Sequence, residues 1–278
     1  MEKPSRVQKP GREEANPKKA YTSRLQKGGA LLEDMRALVR SFREEGDGKH
    51  RQRIIIDNLL GKNTRARAID VYRRAFSQRF LNGNPPEAWK IVRPLEDREI
   101  PLEILKPVYY WITARSEQVL YDFVTQEILA RTRNPDQSIR VDETSLWIKK
   151  QLREQGQKWT DTVTLKVARG LLAALRDFGI LEGAARKRVA PIYIPTESFA
   201  FLAYVLHSLG SSSQRLIGHS DWKLFLMETP VVERLFLDAH QHGLLRYAAA
   251  GGLYRIDFQA GTLEEMADVI AGKRTHNA

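Results

Sequence analysis

Several stretches of this sequence hold residue types that do chemistry elsewhere, and each lacks a necessary companion. Gly61-Lys62-Asn63 has the ending of a phosphate-binding loop. Such a loop needs a glycine five positions ahead of its glycine–lysine pair and a Ser or Thr behind it, and here those places hold Ile56 and Asn63. Pro135-Asp136 and Asp221-Trp222-Lys223 together carry the acid, acid and lysine of a metal-dependent nuclease. They are far apart, however, and neither half sits in a convincing buried strand. His240 and His242 are two residues apart, so a helix turns them to different sides, and nothing is spaced to complete a zinc site. Ser211 lies in a polar loop without the glycine-flanked turn that exposes a nucleophilic serine. The chain has no cysteine, which excludes thiolate nucleophiles, disulfides, iron–sulfur clusters and cysteine zinc sites. The expectation is therefore a non-enzymatic protein, with no catalytic residue, no metal ligand and no cofactor.

What remains is charge. The net charge of the 278 residues is +11, and 29 of the 45 basic residues are arginine, whose planar fork suits phosphate oxygens and guanine edges. The excess is local. Residues 21–95 hold 16 basic against 8 acidic residues and residues 137–195 hold 11 against 6, with an acidic stretch between them. A domain-scale basic bias is the electrostatic footprint of nucleic-acid binding. A solvated basic surface is the plain alternative.

These cations need elements to carry them. Residues 1–20, with Pro4, Pro10, Gly11 and Pro17 among charges, read as a disordered basic arm. Residues 21–136 read as a helical N-terminal domain. A first helix runs over about residues 29–45 with Leu31, Leu32, Met35, Leu38, Val39 and Phe42 as its apolar stripe. A helix-turn-helix-like pair follows, with Arg51 to Leu60 as one helix, Gly61 as its stop and Asn63 or Thr64 as the next cap. An acidic, aromatic-rich middle containing Trp89, Tyr109, Trp111 and Phe123 then joins the two basic units. Residues 137–195 read as a winged-helix-like domain: helices over about 142–155 and 161–178, then a two-stranded hairpin with the tip Arg186-Lys187-Arg188. Residues 196–278 partly repeat this order, with a buried helix near 198–209, a helix over about 231–242 and a hairpin over 244–258. Asp177-Phe178-Gly179-Ile180-Leu181 and Gln241-His242-Gly243-Leu244-Leu245 echo each other. The second hairpin lacks a basic tip and is expected to pack or to meet protein. The fold class expected is mainly α with short β-hairpins.

Helical geometry then aims the cations. On the helix 161–178, Val163, Val167, Leu171 and Leu175 share one side, and Lys166, Arg169 and Arg176 fall on the other beside the small Gly170 and Ala173. Long cations with small neighbours suit a helix entering a major groove, and Arg186, Lys187 and Arg188 on the wing would reach adjacent phosphate. Lys62, Arg67, Arg73 and Arg74 form a second patch, to which Arg51 and Arg53 can add. Asp70 interrupts it and is spaced to pair with Arg73 or Arg74. Arg65 and Arg79 lean toward the apolar side and are expected to snorkel at its edge.

The run Tyr21-Thr22-Ser23-Arg24-Leu25-Gln26-Lys27-Gly28-Gly29-Ala30-Leu31-Leu32-Glu33 resembles the opening of the BrxA family, a small component of bacterial BREX phage-resistance systems. So do residues 58–67, residues 170–179 and Asp238-Ala239-His240-Gln241-His242-Gly243. The resemblance implies a cytoplasmic, mainly helical, monomeric protein that binds DNA beside the methyltransferase, ATPase and other subunits of such a system, without enzymatic activity of its own. It supplies no contact residues, so the candidate contacts Lys62, Arg67, Arg73, Arg74, Lys166, Arg169, Arg176, Arg186, Lys187 and Arg188 stand on the reading of helix faces and the hairpin tip. Composition agrees on location: Met1–Ala20 has no apolar leader, and the most apolar stretch, 198–209, is far short of the roughly 20 residues of a membrane span. The competing expectations are a protein-interaction scaffold and an RNA-binding protein. No platform of exposed aromatics favours RNA.

Overall fold

The structure is a computed structural model, and it describes residues 20–43, 52–54, 56–134 and 137–272. A 3₁₀ turn, Arg24–Lys27, opens the described chain and is followed by α1 (Leu32–Ser41), which buries the expected Met35, Leu38 and Val39. α2 (Arg65–Val71) starts on the Thr64 hydroxyl, which accepts the Arg67 amide at 3.2 Å, and continues as a wider π-type coil over Tyr72–Leu81. Its buried side carries Tyr72, Phe76 and Phe80 in successive ring contacts.

The acidic middle forms α3 (Trp89–Asp97), α4 (Leu102–Ser116) and α5 (Gln118–Asp122), the last running on through Phe123–Ile128 to Leu129–Arg131. Every residue of α4 from Val108 to Ala114 is buried, which makes this helix the axis of the molecule.

Next come β1 (Ser138–Ile139), α6 (Val141–Glu154), α7 (Asp161–Asp177), β2 (Leu181–Glu182) and β3 (Lys187–Val189). The strands form an antiparallel sheet in the order β1-β3-β2, with Glu182 opposite Arg188 and Ser138 opposite the same arginine on the other side. The third strand, β1, was not anticipated: two residues are too few for a period-two pattern to register. The return strand also ends at Val189, and residues 190–195 run without regular structure.

The last stretch holds α8 (Thr196–Ser208), α9 (Ser213–Ile217), a 3₁₀ turn (Ser220–Phe225), α10 (Thr229–Gln241), the antiparallel pair β4 (Arg246–Ala250) and β5 (Leu253–Asp257), and α11 (Leu263–Ile270). α8 is buried continuously from Ser198 to Leu206, as its composition implies.

The two echoing pentapeptides have one geometry. At the end of α7 the Gly179 amide donates to the Arg176 carbonyl and Ile180 to Leu175; at the end of α10 Gly243 donates to His240 and Leu244 to Ala239. Both glycines have positive φ, +83° and +72°, a conformation in which a Cβ would be strained. The apolar pair after each glycine is buried and carries the chain into its hairpin.

One hydrophobic cluster extends from Tyr21 to Ile270. Buried and partly buried polar contacts tie distant segments together around it. Tyr110 donates to the Leu224 carbonyl at 3.0 Å, Trp111 Nε1 donates to Asp221 at 2.7 Å, and Arg98 grips Asp268 with two nitrogens at 2.7 and 2.8 Å. No helix among the described residues is long and apolar enough to cross a membrane.

Candidate nucleic-acid interface

α7 begins where Thr160 caps the Val163 amide at 3.3 Å, and Lys149 of α6 reaches the exposed Asp161 at 3.0 Å. Val167, Ala168, Leu171, Leu172, Ala174 and Leu175 bury the inner side. Lys166 and Arg169 lie on the exposed side. Neither side chain has an ion pair or hydrogen bond among the described residues, so both charges are available to a partner. Arg176 shares this face but turns onto Asp177 at 3.0 Å.

Gly170 does not face solvent for a ligand's approach. The backbone of the Arg24–Lys27 turn occupies that side, so close that a Cβ on Gly170 would meet the Leu25 carbonyl oxygen at 1.9 Å. The expected clearance serves the protein's own chain. Helical periodicity could place Gly170 at the border of the face, but not the segment packed there 145 residues away in sequence.

The hairpin departs from expectation at its tip: Lys187 and Arg188 lie in β3, and only Arg186 of the three belongs to the turn. Lys187 is buried and donates to the Ala184 carbonyl at 2.7 Å, closing the turn Gly183–Arg186 from inside. Alternation along β3 turns Lys187 to the side opposite Arg188. Arg188 projects outward, where Glu182 on the neighbouring strand holds it at 2.5 Å while leaving it largely exposed. Arg186 is exposed and unpaired among the described residues.

The patch on α2 is partly neutralised from within. Lys62 pairs with Asp34 at 2.8 Å. Asp70 holds Arg74 and also Arg67, the latter at 3.7 Å, whereas Arg73 is exposed and has no side-chain partner among the described residues. Arg53 is exposed and Arg51 lies outside the described residues. Arg79, expected to snorkel, is fully buried instead. It pairs with buried Glu117 at 3.1 Å and donates to the Gly29 and Ala30 carbonyls. A buried guanidinium needs such a set of acceptors to offset its lost hydration.

Glu117 also receives Arg24, which is spread over Gln78 and the Ser116 carbonyl as well. Tyr21 donates to Asp122 at 2.8 Å, and burial beside that carboxylate pushes the phenol above its ordinary range, keeping it a donor. The opening segment is thus sewn to α5, α2 and α7 together. Exposed cations outside the expected faces include Lys27 on this turn, Lys150 and Arg153 on α6, and Lys158 before α7. The spacing of Lys150 and Arg153 opposite Ile148 and Leu152 was available in the sequence; the position of Lys27 was not.

The other candidate chemistry stays scattered. Asp221 is buried and engaged by Trp111, Arg115 and Tyr121, while Pro135-Asp136 lies outside the described residues. Among the described residues no three His, Asp or Glu side chains gather as a metal site.

Comparison with known proteins places this arrangement. No curated protein matches the chain. An uncharacterized protein from Magnetospirillum magneticum has a similar fold, with a TM-score of 0.57 at 14% identity over 74% of this chain and 97% of its own. A magnesium ion-bound SspB structure gives 0.56 at 11% identity over 93% and 90% of the two chains. At such identities the likeness is one of fold. The sequence model for BrxA matches residues 19–204, a stretch that contains both the opening turn and α7, and the chain belongs to the BrxA family.

Proposed function

We propose that this chain is a non-enzymatic DNA-binding subunit of a BREX system, docking duplex DNA on α7. Membership of the BrxA family makes it a BREX-associated phage-defence component; the contact with DNA is our reading. The observation that carries it is the pair Lys166 and Arg169, exposed on one face of α7 and without a counter-charge among the described residues. Residues 137–195 act as a winged helix in this reading, with α7 in the major groove and Arg186 and Arg188 on flanking phosphate. The protein works in the cytoplasm as a monomer that holds DNA near the system's modifying subunits. The test is fluorescence anisotropy with a labelled duplex of about 30 base pairs over a salt series. Binding should weaken steeply with salt, and the double variant K166E/R169E should lose at least about tenfold in affinity with its fold intact. An unchanged affinity in that variant would refute docking on α7.

A second reading applies to the last unit alone. α10 exposes Val231 and Leu237, and the following hairpin exposes Leu253, the last 76% exposed. Large apolar side chains left exposed in one unit suit a protein contact. We assign this face to another subunit of the system. Leu237→Ser with Leu253→Ser should abolish co-purification with the partner subunits and leave DNA affinity unchanged.

A further inference from the structure

We infer that Lys27 is a nucleic-acid contact, and that the turn carrying it joins the basic faces of α7 and α2 into one continuous binding surface. The inference rests on the DNA-binding reading and extends it to a part of the chain that the separate patches leave out.

The turn Arg24–Lys27 lies between the two helices and is fixed to both. On one side the Leu25 carbonyl sits against Gly170 of α7, and Gly29 packs on Ala174, where a Cβ would meet the Ala174 nitrogen at 3.1 Å. On the other side Arg67 of α2 donates to the Lys27 carbonyl at 2.8 Å, and Arg24 donates to Gln78 at 2.7 Å. The two basic segments, a hundred residues apart in sequence, therefore border one rigid turn.

The side chains of that turn divide by role. Leu25 is buried and Arg24 is spent on internal acceptors. Lys27 is exposed, and its ammonium has no partner among the described residues. It shares a crevice with Arg67, Asp70 and Arg74, and the crevice, at about 10 Å³, has room for no more than a water. A partner must therefore lie across this region as a surface, not enter it. Lys166 and Arg169 on one flank, Lys27 in the centre, and Arg67, Arg73 and Arg74 on the other give six cations against the single Asp70. Such a strip suits a polyanion with charges repeated along its length, and the backbone of a duplex presents one every few ångströms.

The experiment compares salt slopes for wild type, K27A, K27R, R73A and K166A/R169A on duplexes of about 12 and about 30 base pairs. K27A should weaken binding to the longer duplex by about two- to tenfold, equally for unrelated sequences, and lower the salt slope by about one. K27R should restore the slope, and the melting temperature of K27A should match wild type because the Lys27 ammonium has no partner among the described residues and its carbonyl, which accepts from Arg67, is retained. R73A should behave like K27A on the longer duplex and have a smaller effect on the short one. If K166A/R169A loses binding while K27A and R73A bind as wild type does, the continuous surface is refuted and docking on α7 stands. If the wild type binds no duplex but K27A loses binding to an acidic subunit of the system, both readings fall.

Discussion

The carbonyl oxygen of Leu25 and the α-carbon of Gly170 touch so closely that the helix and the opening turn leave no space for a methyl group. In an ordinary helix interior, Gly→Ala stabilises by about 1 kcal/mol. Here the new Cβ would collide with backbone, which cannot rotate away. Gly170→Ala should therefore destabilise the protein by about 1–3 kcal/mol in chemical denaturation. A gain in stability would mean that the turn does not pack on α7 as described.

Arg79 and Glu117 form an ion pair with essentially no solvent exposure. Removing the carboxylate leaves a buried guanidinium whose other acceptors, the Gly29 and Ala30 carbonyls, carry no net charge. Glu117→Ala should cost about 3–5 kcal/mol, and Glu117→Gln less because an acceptor oxygen remains. Urea titrations of the two variants would rank them; equal losses would show that the charge itself contributes little.

His219 gives the fold a sensitivity to acid. Its Nδ1 accepts the Asp221 amide at 3.2 Å, a role open only to the neutral ring. Burial lowers the imidazole's pKa, the Asp221 carboxylate opposes this, and Arg115 adds to the lowering. The unfolded chain takes up a proton near pH 6.5 while the folded one does not, so stability is full above that pH and declines as pH falls through it. The stability difference between about pH 7.5 and about pH 5.5 should shrink in His219→Asn. A variant with the wild-type difference would assign the acid sensitivity elsewhere.

Two lysines that look alike in the sequence should behave oppositely. Lys166→Ala should lower the salt slope of DNA binding by about one without changing stability. Lys187→Ala should leave the slope unchanged and destabilise by about 1–2 kcal/mol, since it removes the bond to the Ala184 carbonyl that closes the hairpin turn. Paired measurements of anisotropy and thermal unfolding would separate the two, and a slope change in Lys187→Ala would place that side chain on DNA after all.

The longer helices, their apolar stripes and the closures at Gly179 and Gly243 were legible in the chain itself. These depend on near neighbours: a period of about 3.6, a hydroxyl before a first turn, a glycine after a last one. α9 and α11 were not legible, and residues 57–60, expected as the end of a helix, form a turn. The sequence also placed Lys166 and Arg169 on the solvent side of α7, because one buried face is enough to define its opposite. The tertiary structure alone decided which cations are free. Asp34 on Lys62, Asp70 on both Arg67 and Arg74, Glu117 on Arg79 and the Ala184 carbonyl on Lys187 are acceptors set by packing and strand register. It also brought Leu25 against Gly170, placing Lys27 between two basic helices. Periodicity reports the direction of a side chain from its own axis and says nothing of what another segment brings to meet it. For a charged surface, that meeting decides which residues remain to bind.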